Sequence, residues 1–178
     1  MGNLCSSDTK KEYDKYHENE LIKNSFTELS LFSLENLVTK CKVTDVYDGD
    51  TVTIVFYYDN KPMKVKLRMY GYDSPEVKPK KSIANYDLHK KAGEVARDKL
   101  KEKIEGKIMW VKFVEREKYG REMGFLFEDT NINCDFEKSI NSWMIVNKLG
   151  KKYQGSKKDE FSDKELQHIL SFGTSQKN

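Results

Sequence analysis

Two pairs of carboxylates stand beside turn residues in this chain. Asp48-Gly49-Asp50-Thr51 sets two acids on a tight turn between β-branched and aromatic runs, a hairpin signal with acid at its tip. Arg68 is followed by Asp73-Ser74-Pro75-Glu76, and Lys118-Tyr119-Gly120-Arg121 adds a second guanidinium later in the chain. These residue types suit chemistry at a phosphodiester. In such a cleavage, charge builds on the phosphoryl oxygens, a water must be activated, and the leaving oxygen needs support. A hard cation held by carboxylates supplies much of this as Lewis acid and template. Asp50 and Asp73 are suited to be its oxygen ligands, and a backbone carbonyl with waters can complete a calcium shell. Asp48, two residues from Asp50, is placed to tune those ligands from behind. Glu76 is placed to take a proton from the attacking water. Arg68 and Arg121 can grip phosphate oxygens with a planar fork that Lys cannot copy.

Each piece alone has an ordinary explanation. Asp-Gly is a common hairpin turn, Ser-Pro-Glu is a usual loop sequence, and Lys-Tyr-Gly-Arg is a plausible turn. His17, His89 and His168 show no ligand spacing and read as surface residues; Trp110 and Trp143 read as core. The combination is specific. Val46-Tyr47-Asp48-Gly49-Asp50-Thr51, then Arg68 with Asp73-Ser74-Pro75-Glu76, then Lys118-Tyr119-Gly120-Arg121 occur in this order. They resemble the V-x-D-G-D-T, R-x-x-x-x-D-[ST]-P-E and K-Y-G-R motifs of the staphylococcal-nuclease-like (thermonuclease) family. The resemblance covers roughly residues 41–155. It implies a nuclease of DNA and RNA with little sequence preference that leaves 3′-phosphate ends. It also implies one divalent cation, calcium, on Asp50, Asp73 and the carbonyl of Ser74. Glu76 would be the general base, and Arg68 and Arg121 would bind the scissile phosphate. Lys118, Tyr119 and Tyr153 stand where the family places nucleotide contacts, the last by a looser match. Tyr153-Gln154-Gly155-Ser156-Lys157-Lys158 is similar to an ending found in some eukaryotic and large-virus relatives.

The scaffold must then bring distant residues together. Val43, Val46, Val52, Ile54 and Phe56 lie in two runs joined by the Asp-Gly turn. Val65, Leu67 and Met69 alternate with Lys64, Lys66 and Arg68, which predicts a strand with one face in the core and one in solvent. Tyr57 to Pro62 supplies the intervening turn, and Val77 to Ser82 reads as a basic, mobile loop. A helix is expected from about Ala84 to Glu105, with Leu88, Ala92, Ala96, Leu100 and Ile104 recurring every fourth residue and Val95 beside them; Gly106 stops it. Strands over Ile108–Val114 and Met123–Phe127 follow. A second helix is expected over Ser139–Leu149, capped by Ser139 and closed by Gly150. The last helix opens on a capping box, Ser162 with Glu165, and a hydrophobic staple, Phe161 with Leu166. This order gives an α+β, mainly β fold: a five-stranded OB-fold barrel with about three flanking helices.

At the N-terminus, Met1-Gly2-Asn3-Leu4-Cys5-Ser6 matches the M-G-x-x-x-[ST] pattern of N-myristoylation at Gly2. Cys5 beside it is a site for a palmitoyl chain, and two acyl groups make a stable anchor where one does not. The expected organisation is an acylation motif (1–7), a tether and lead-in (8–37), the barrel domain (38–172) and a disordered tail (173–178). Ser25 with Glu28 suits a capping box, and 25–37 reads as either a short helix or an extended lead-in. Residues 1–36 hold seven acids and four bases, so the rest carries a net +6 within the overall +3. That fits a polyanionic partner, although a solvated Lys/Glu surface has the same look. Cys5, Cys41 and Cys134 are too few and scattered for a disulfide framework or a zinc cluster. The expected location is the cytoplasmic face of a membrane, and the expected state is a monomer with DNA or RNA, and no protein, as partner. Two other functions compete: a binding module of the same fold without catalysis, and an adaptor whose acylated tail matters most.

Overall fold

The computed structural model describes residues 7–117, 120–128, 135–153 and 159–174. The chain divides into two compact units, Met1–Phe32 and Ser33–Asn178. In the first, the stretch expected as a tether is a helix, α1 (Ser7–Lys23). It has no Gly or Pro and few β-branched residues, and Lys, Glu and Leu are good helix formers. Propensity, not an apolar stripe, shapes it, so the search for apolar periodicity missed it. Tyr13 and His17, one turn apart, meet edge to face at 4.1 Å. Asn24 ends the helix, its Nδ2 donating to the Glu20 carbonyl at 2.8 Å. The lead-in alternatives resolve against a helix: residues 25–32 are turn and coil, and Leu31 is 94% exposed.

The second unit is the barrel domain. Its seven strands are β1 (Val38–Asp48), β2 (Thr51–Tyr58), β3 (Lys61–Met69), β4 (Tyr72–Asp73), β5 (Ile108–Arg116), β6 (Glu122–Phe127) and β7 (Lys151–Lys152). Its helices are α2 (Tyr86–Ile104), α3 (Ile140–Val146) and α4 (Asp163–Thr174). The five long strands close into a barrel in the order β1-β2-β3-β6-β5. All pairs are antiparallel except β3 with β6. This is the expected OB-fold barrel of an α+β domain. β4 and β7 form a separate two-stranded pair.

The alternation in the strands sends Val43, Val46, Val52, Ile54, Phe56, Leu67, Met69, Met109, Val111, Phe113 and Leu126 into one core. Helix α2 lays Ala92, Ala96, Leu100 and Ile104 on it. The same face also buries His89, which is therefore not the surface residue it was expected to be. Neither tryptophan is fully buried: Trp143 packs against the core and Trp110 does not. Trp110 and Trp143 are half-buried, with Lys40 and Lys103 over their rings. The folded unit starts before Val38, because Leu34 is buried and Asn36 N–H donates to the Phe113 carbonyl. The β2–β3 turn is narrower than the six residues expected. It is Asp59-Asn60, both at positive φ (48° and 57°), as a type I′ turn requires.

Three local features fix the helices: α3 to the barrel, α2 to α4, and α4 at its own start. Asn141 on α3 is fully buried; its Nδ2 donates to the carbonyls of Tyr70 and Gly124, and its Oδ1 accepts from Leu126 N–H. Asn85, the left-handed N-cap of α2, donates to both carboxylate oxygens of Asp163 on α4 at 2.8 Å. The expected capping box is formed: Glu165 accepts from Ser162 N–H at 2.7 Å, and Ser162 Oγ accepts from Glu165 N–H at 3.4 Å. Helix α4 runs past Phe172 to Thr174, so Gly173 belongs to the helix and not to a tail. A Cβ at Gly173 would come within 3.2 Å of Val95 on α2. Residues 175–178 lie outside the described residues. No helix among those described is long and apolar enough to cross a membrane.

Candidate active site

The acid turn closes one end of the barrel. It joins β1 to β2 across Asp48 and Thr51, and neither Gly49 nor Asp50 has positive φ. Gly49 is needed for space, since a Cβ there would meet Ser74 Oγ at 2.7 Å and Ala96 Cβ at 3.0 Å. Backbone bonds pin the turn to the next segment. Asp50 C=O accepts from Met69 N–H at 2.7 Å, and Gly49 C=O accepts from the Tyr72 hydroxyl at 2.7 Å. The acid tip is thereby drawn onto the β3–β4 segment that carries the second acid pair.

Arg68 sits between the two. Its Nη1 lies 3.0 Å from Asp50 Oδ2, and its Nη2 donates to Asp73 Oδ1 at 2.8 Å. Alternation sends Arg68 to the face opposite Leu67, as expected, but that face is not in solvent here: Arg68 is 6% exposed and Asp50 3%. The turn, β4 and the acids themselves cover it. Asp50 Oδ1 takes the Thr51 hydroxyl at 2.8 Å, and its Oδ2 the Ser74 N–H at 3.4 Å. Asp48 is buried beside them and accepts from Val77 N–H at 3.2 Å. Glu76 stands exposed at the rim, and its charge acts on Asp50.

Arg121 lies just before the start of β6. It precedes Glu122 and Met123, which pair with Leu67 and Arg68 in the parallel β3–β6 ladder. Its Nε lies 2.6 Å from Glu117 Oε2, and the Glu117 charge in turn acts on Arg68. Asp50, Asp73, Glu76, Arg68 and Arg121 therefore belong to one end of the barrel. Ser74 is buried with them, its Oγ without a hydrogen-bond partner among the described residues. Tyr153, half-buried, donates its N–H to the Gly71 carbonyl at 3.0 Å, next to β4. Lys118, Tyr119, Gly2 and Cys5 lie outside the described residues.

Asp48, Asp50 and Asp73 are all buried; Asp50 and Asp73 pair with the buried guanidinium of Arg68, and the charges of Arg97 and Arg68 act on Asp48. Ionised carboxylates are costly away from water. Burial pushes the Asp50 carboxyl above its ordinary range even against Arg68, with the Asp73 charge adding to the rise. Burial does the same to Asp48, against the Val77 N–H, with the Asp50 charge in the same direction. Burial would ease the Arg68 proton off, but Asp50 and Asp73 outweigh it and hold it on more firmly than usual. Burial, with the Asp50 charge, puts the Tyr72 phenol well above its ordinary value. No group of three or more His, Cys, Asp or Glu among the described residues is disposed to hold a metal. The donor set available is smaller: the Asp50 and Asp73 carboxylates, which meet at Arg68, to be completed by carbonyl and water oxygens, as hard cations accept.

Some supporting residues were not legible as functional. Gly93 is one. A Cβ there would lie 2.5 Å from the Glu76 carbonyl oxygen and 2.8 Å from that of Pro75, so only Gly lets the Pro75-Glu76 backbone rest on α2. An isolated Gly inside a helical pattern was the available signal. Tyr72 had none, because its partner, Gly49, is distant in sequence.

The barrel and its acidic, arginine-bridged end define an OB-fold protein of the α+β class with a site at the barrel rim. The family described as staphylococcal nuclease homologue matches residues 66–172, more than half of the chain, and the chain belongs to that family. The match opens within β3 and takes in Arg68, Asp73, Glu76 and Arg121. Asp48 and Asp50 precede it and join the site through barrel closure. No match was found among curated proteins.

Proposed function

We propose that this nuclease-family protein is a metal-dependent phosphodiesterase that cuts DNA and RNA and leaves 3′-phosphates. The observation that supports it most is Arg68 clamped between the buried carboxylates of Asp50 and Asp73, with Asp48 buried beside them. Asp50, Asp73 and the Ser74 carbonyl would hold a divalent ion, calcium, which when bound supplies Lewis-acid charge at the phosphoryl oxygens. Asp48 tunes Asp50 from behind. Arg68 and Arg121 fork onto the phosphate oxygens and stabilise the charge that builds there. Glu76, exposed at the rim, takes a proton from the attacking water as its oxygen bonds to phosphorus. The bond from phosphorus to the 5′-oxygen breaks as the new bond forms, and that oxygen takes a proton from solvent water, to which Glu76 returns its own. Lys118, Tyr119 and Tyr153 contact the nucleotide.

The N-terminal motif supports a membrane tether through acylation at Gly2 and Cys5, which puts the enzyme where calcium is low. Calcium influx, release from the membrane or another divalent ion each meets that difficulty. The deciding experiment is cleavage of plasmid and single-stranded RNA by purified protein with calcium and with chelator. Cleavage with calcium that is lost with chelator, and lost in Glu76→Gln, is expected. Binding without any cleavage would leave a non-catalytic module of the same fold. Mass spectrometry of protein made in eukaryotic cells tests the tether, and an unmodified Gly2 would remove it.

A further inference from the structure

Between the end of α3, β7 and the start of α4 lies a cavity of about 400 Å³ that shares no residue with the barrel-end site. Ile145 and Phe161, both half-buried, give it an apolar wall. The rest of the lining is mostly cationic: Lys148, Lys151, Lys152 and Lys164 stand against one acid, Glu165, which leaves a local net of +3. Glu165 is already engaged, accepting from Ser162 and lying 3.7 Å from Lys151 Nζ. Lys151 is engaged too, donating to the Glu160 carbonyl at 2.7 Å with its Nζ 4.4 Å from the Phe161 ring centroid. Lys148, Lys152 and Lys164 are exposed and form no ion pair among the described residues. Asp159, Glu160 and Asp163 flank Phe161 without lining the cavity, and Asp163 is held by Asn85. The backbone singles out Lys148. Helix α3 ends in a Schellman motif: Leu149 N–H donates to the Met144 carbonyl and Lys148 N–H to the Ile145 carbonyl, both at 2.9 Å. The left-handed position of that motif is usually glycine; here it is Lys148, at φ 55°. A Cβ is penalised there, so local stability does not account for the lysine, whereas its place in the cavity lining does.

We propose that this cavity is a binding site for an organic phosphomonoester, with the phosphate among Lys148, Lys152 and Lys164 and an aromatic or aliphatic body against Ile145 and Phe161. The inference goes beyond the nuclease reading and does not need it. The volume is that of a pocket for a small organic ligand. Lysine holds phosphate as a point charge, and a phosphomonoester carries about −1.5 to −2 at pH 7. Three uncompensated ammonium groups match that charge better than they match a carboxylate. His168, also in the lining, adds a ring nitrogen as donor. Surface lysines are often merely solvated. These surround an apolar wall, so a ligand with an anionic end and an apolar body satisfies both.

The test titrates the full chain with 1-naphthyl phosphate by calorimetry, divalent ions chelated, with inorganic phosphate and 1-naphthol for comparison. The ester is expected to bind at least about tenfold more tightly than either part, because charge pairing and apolar burial then act on one molecule. Lys152→Gln/Lys164→Gln is expected to weaken it about tenfold. Lys148→Gly is expected to weaken it about fivefold without lowering the urea midpoint, since glycine suits the left-handed position; that loss cannot come from loss of fold. Unchanged affinity in the lysine variants, or inorganic phosphate binding as tightly as the ester, overturns the proposal. So does a loss confined to Arg121→Ala, which would put the phosphate in the barrel-end site. Displacement of the probe by a mononucleotide identifies a soluble ligand. Displacement by phosphatidylcholine vesicles containing phosphatidic acid, and not by plain ones, identifies a lipid headgroup; displacement by neither overturns the proposal. Cleavage assays separate this from the nuclease reading. Binding with these dependences but no cleavage keeps the pocket and removes the nuclease, and cleavage without such binding does the reverse.

Discussion

Arg68 carries two burdens at once on the proposed mechanism, since it counters two buried carboxylates and is assigned to grip the phosphate. Removing one partner of a buried ion pair strands the other charge away from water. Arg68→Ala is expected to destabilise the fold by about 3–5 kcal/mol in chelator, measured by urea unfolding, and to abolish cleavage. The Asp50 carboxyl works in the other sense. Its folded pKa lies above the ordinary 3.8, because burial outweighs Arg68. The folded state thus holds its proton more firmly than the unfolded chain does. Stability from this group is full below about 3.8 and is lost as pH rises through the folded value. Asp50→Asn should therefore be more stable than the parent at pH 7 in chelator, with the gap closing toward pH 4, and it should not cleave. A parent that gains stability as pH rises from 4 to 7, with Asp50→Asn following it unchanged, would show that Arg68 wins instead.

Elements position these residues through close approach. Helix α2 can hold the Glu76 backbone only because position 93 has no Cβ. Gly93→Ala must push Pro75 and Glu76 outward, since the colliding atoms are backbone. Overpacking of this kind costs about 1–3 kcal/mol, and kcat should fall more than KM rises if Glu76 is displaced from the attacking water. At the start of α4, partial burial pushes the Glu165 carboxyl up. The hydrogen bonds from Ser162 and the charge of Lys151 overcome that and hold it below its ordinary 4.5. The stabilisation is present above that value and lost as pH falls through the lowered one. Glu165→Gln is expected to cost less than about 1 kcal/mol at pH 7, as a cap exposed to solvent does, with parent and variant converging in acid. Thermal unfolding across pH measures both.

At the scale of the whole molecule, the chain divides into two units between Phe32 and Ser33, and every residue of the proposed catalytic set lies in the second. A chain starting at Ser33 keeps Leu34 and the Asn36 bond to Phe113, so it should fold and cleave with kcat near that of the full chain. It should be absent from membrane fractions. A chain starting at Val38 loses both contacts and should unfold at lower urea. Cys41 lies in the core, and burial pushes its thiol up to about 12, so it should resist thiol reagents until the barrel opens. Rapid labelling of Cys41 in native protein would contradict a closed barrel.

The linear order of residues determined the alternating strands, the four-residue repeat of α2, the capping box of α4 and the three motifs, because each is a short-range pattern. It determined neither α1, where propensity acted without an apolar stripe, nor the depth of Arg68. Burial of Arg68 depends on a turn, a strand and two acids that meet only when the barrel closes. The need for Gly at 49 and 93 was likewise settled by contacts with Ser74 and Glu76. Residues distant in the chain can constrain one another only after folding has put them at van der Waals distance.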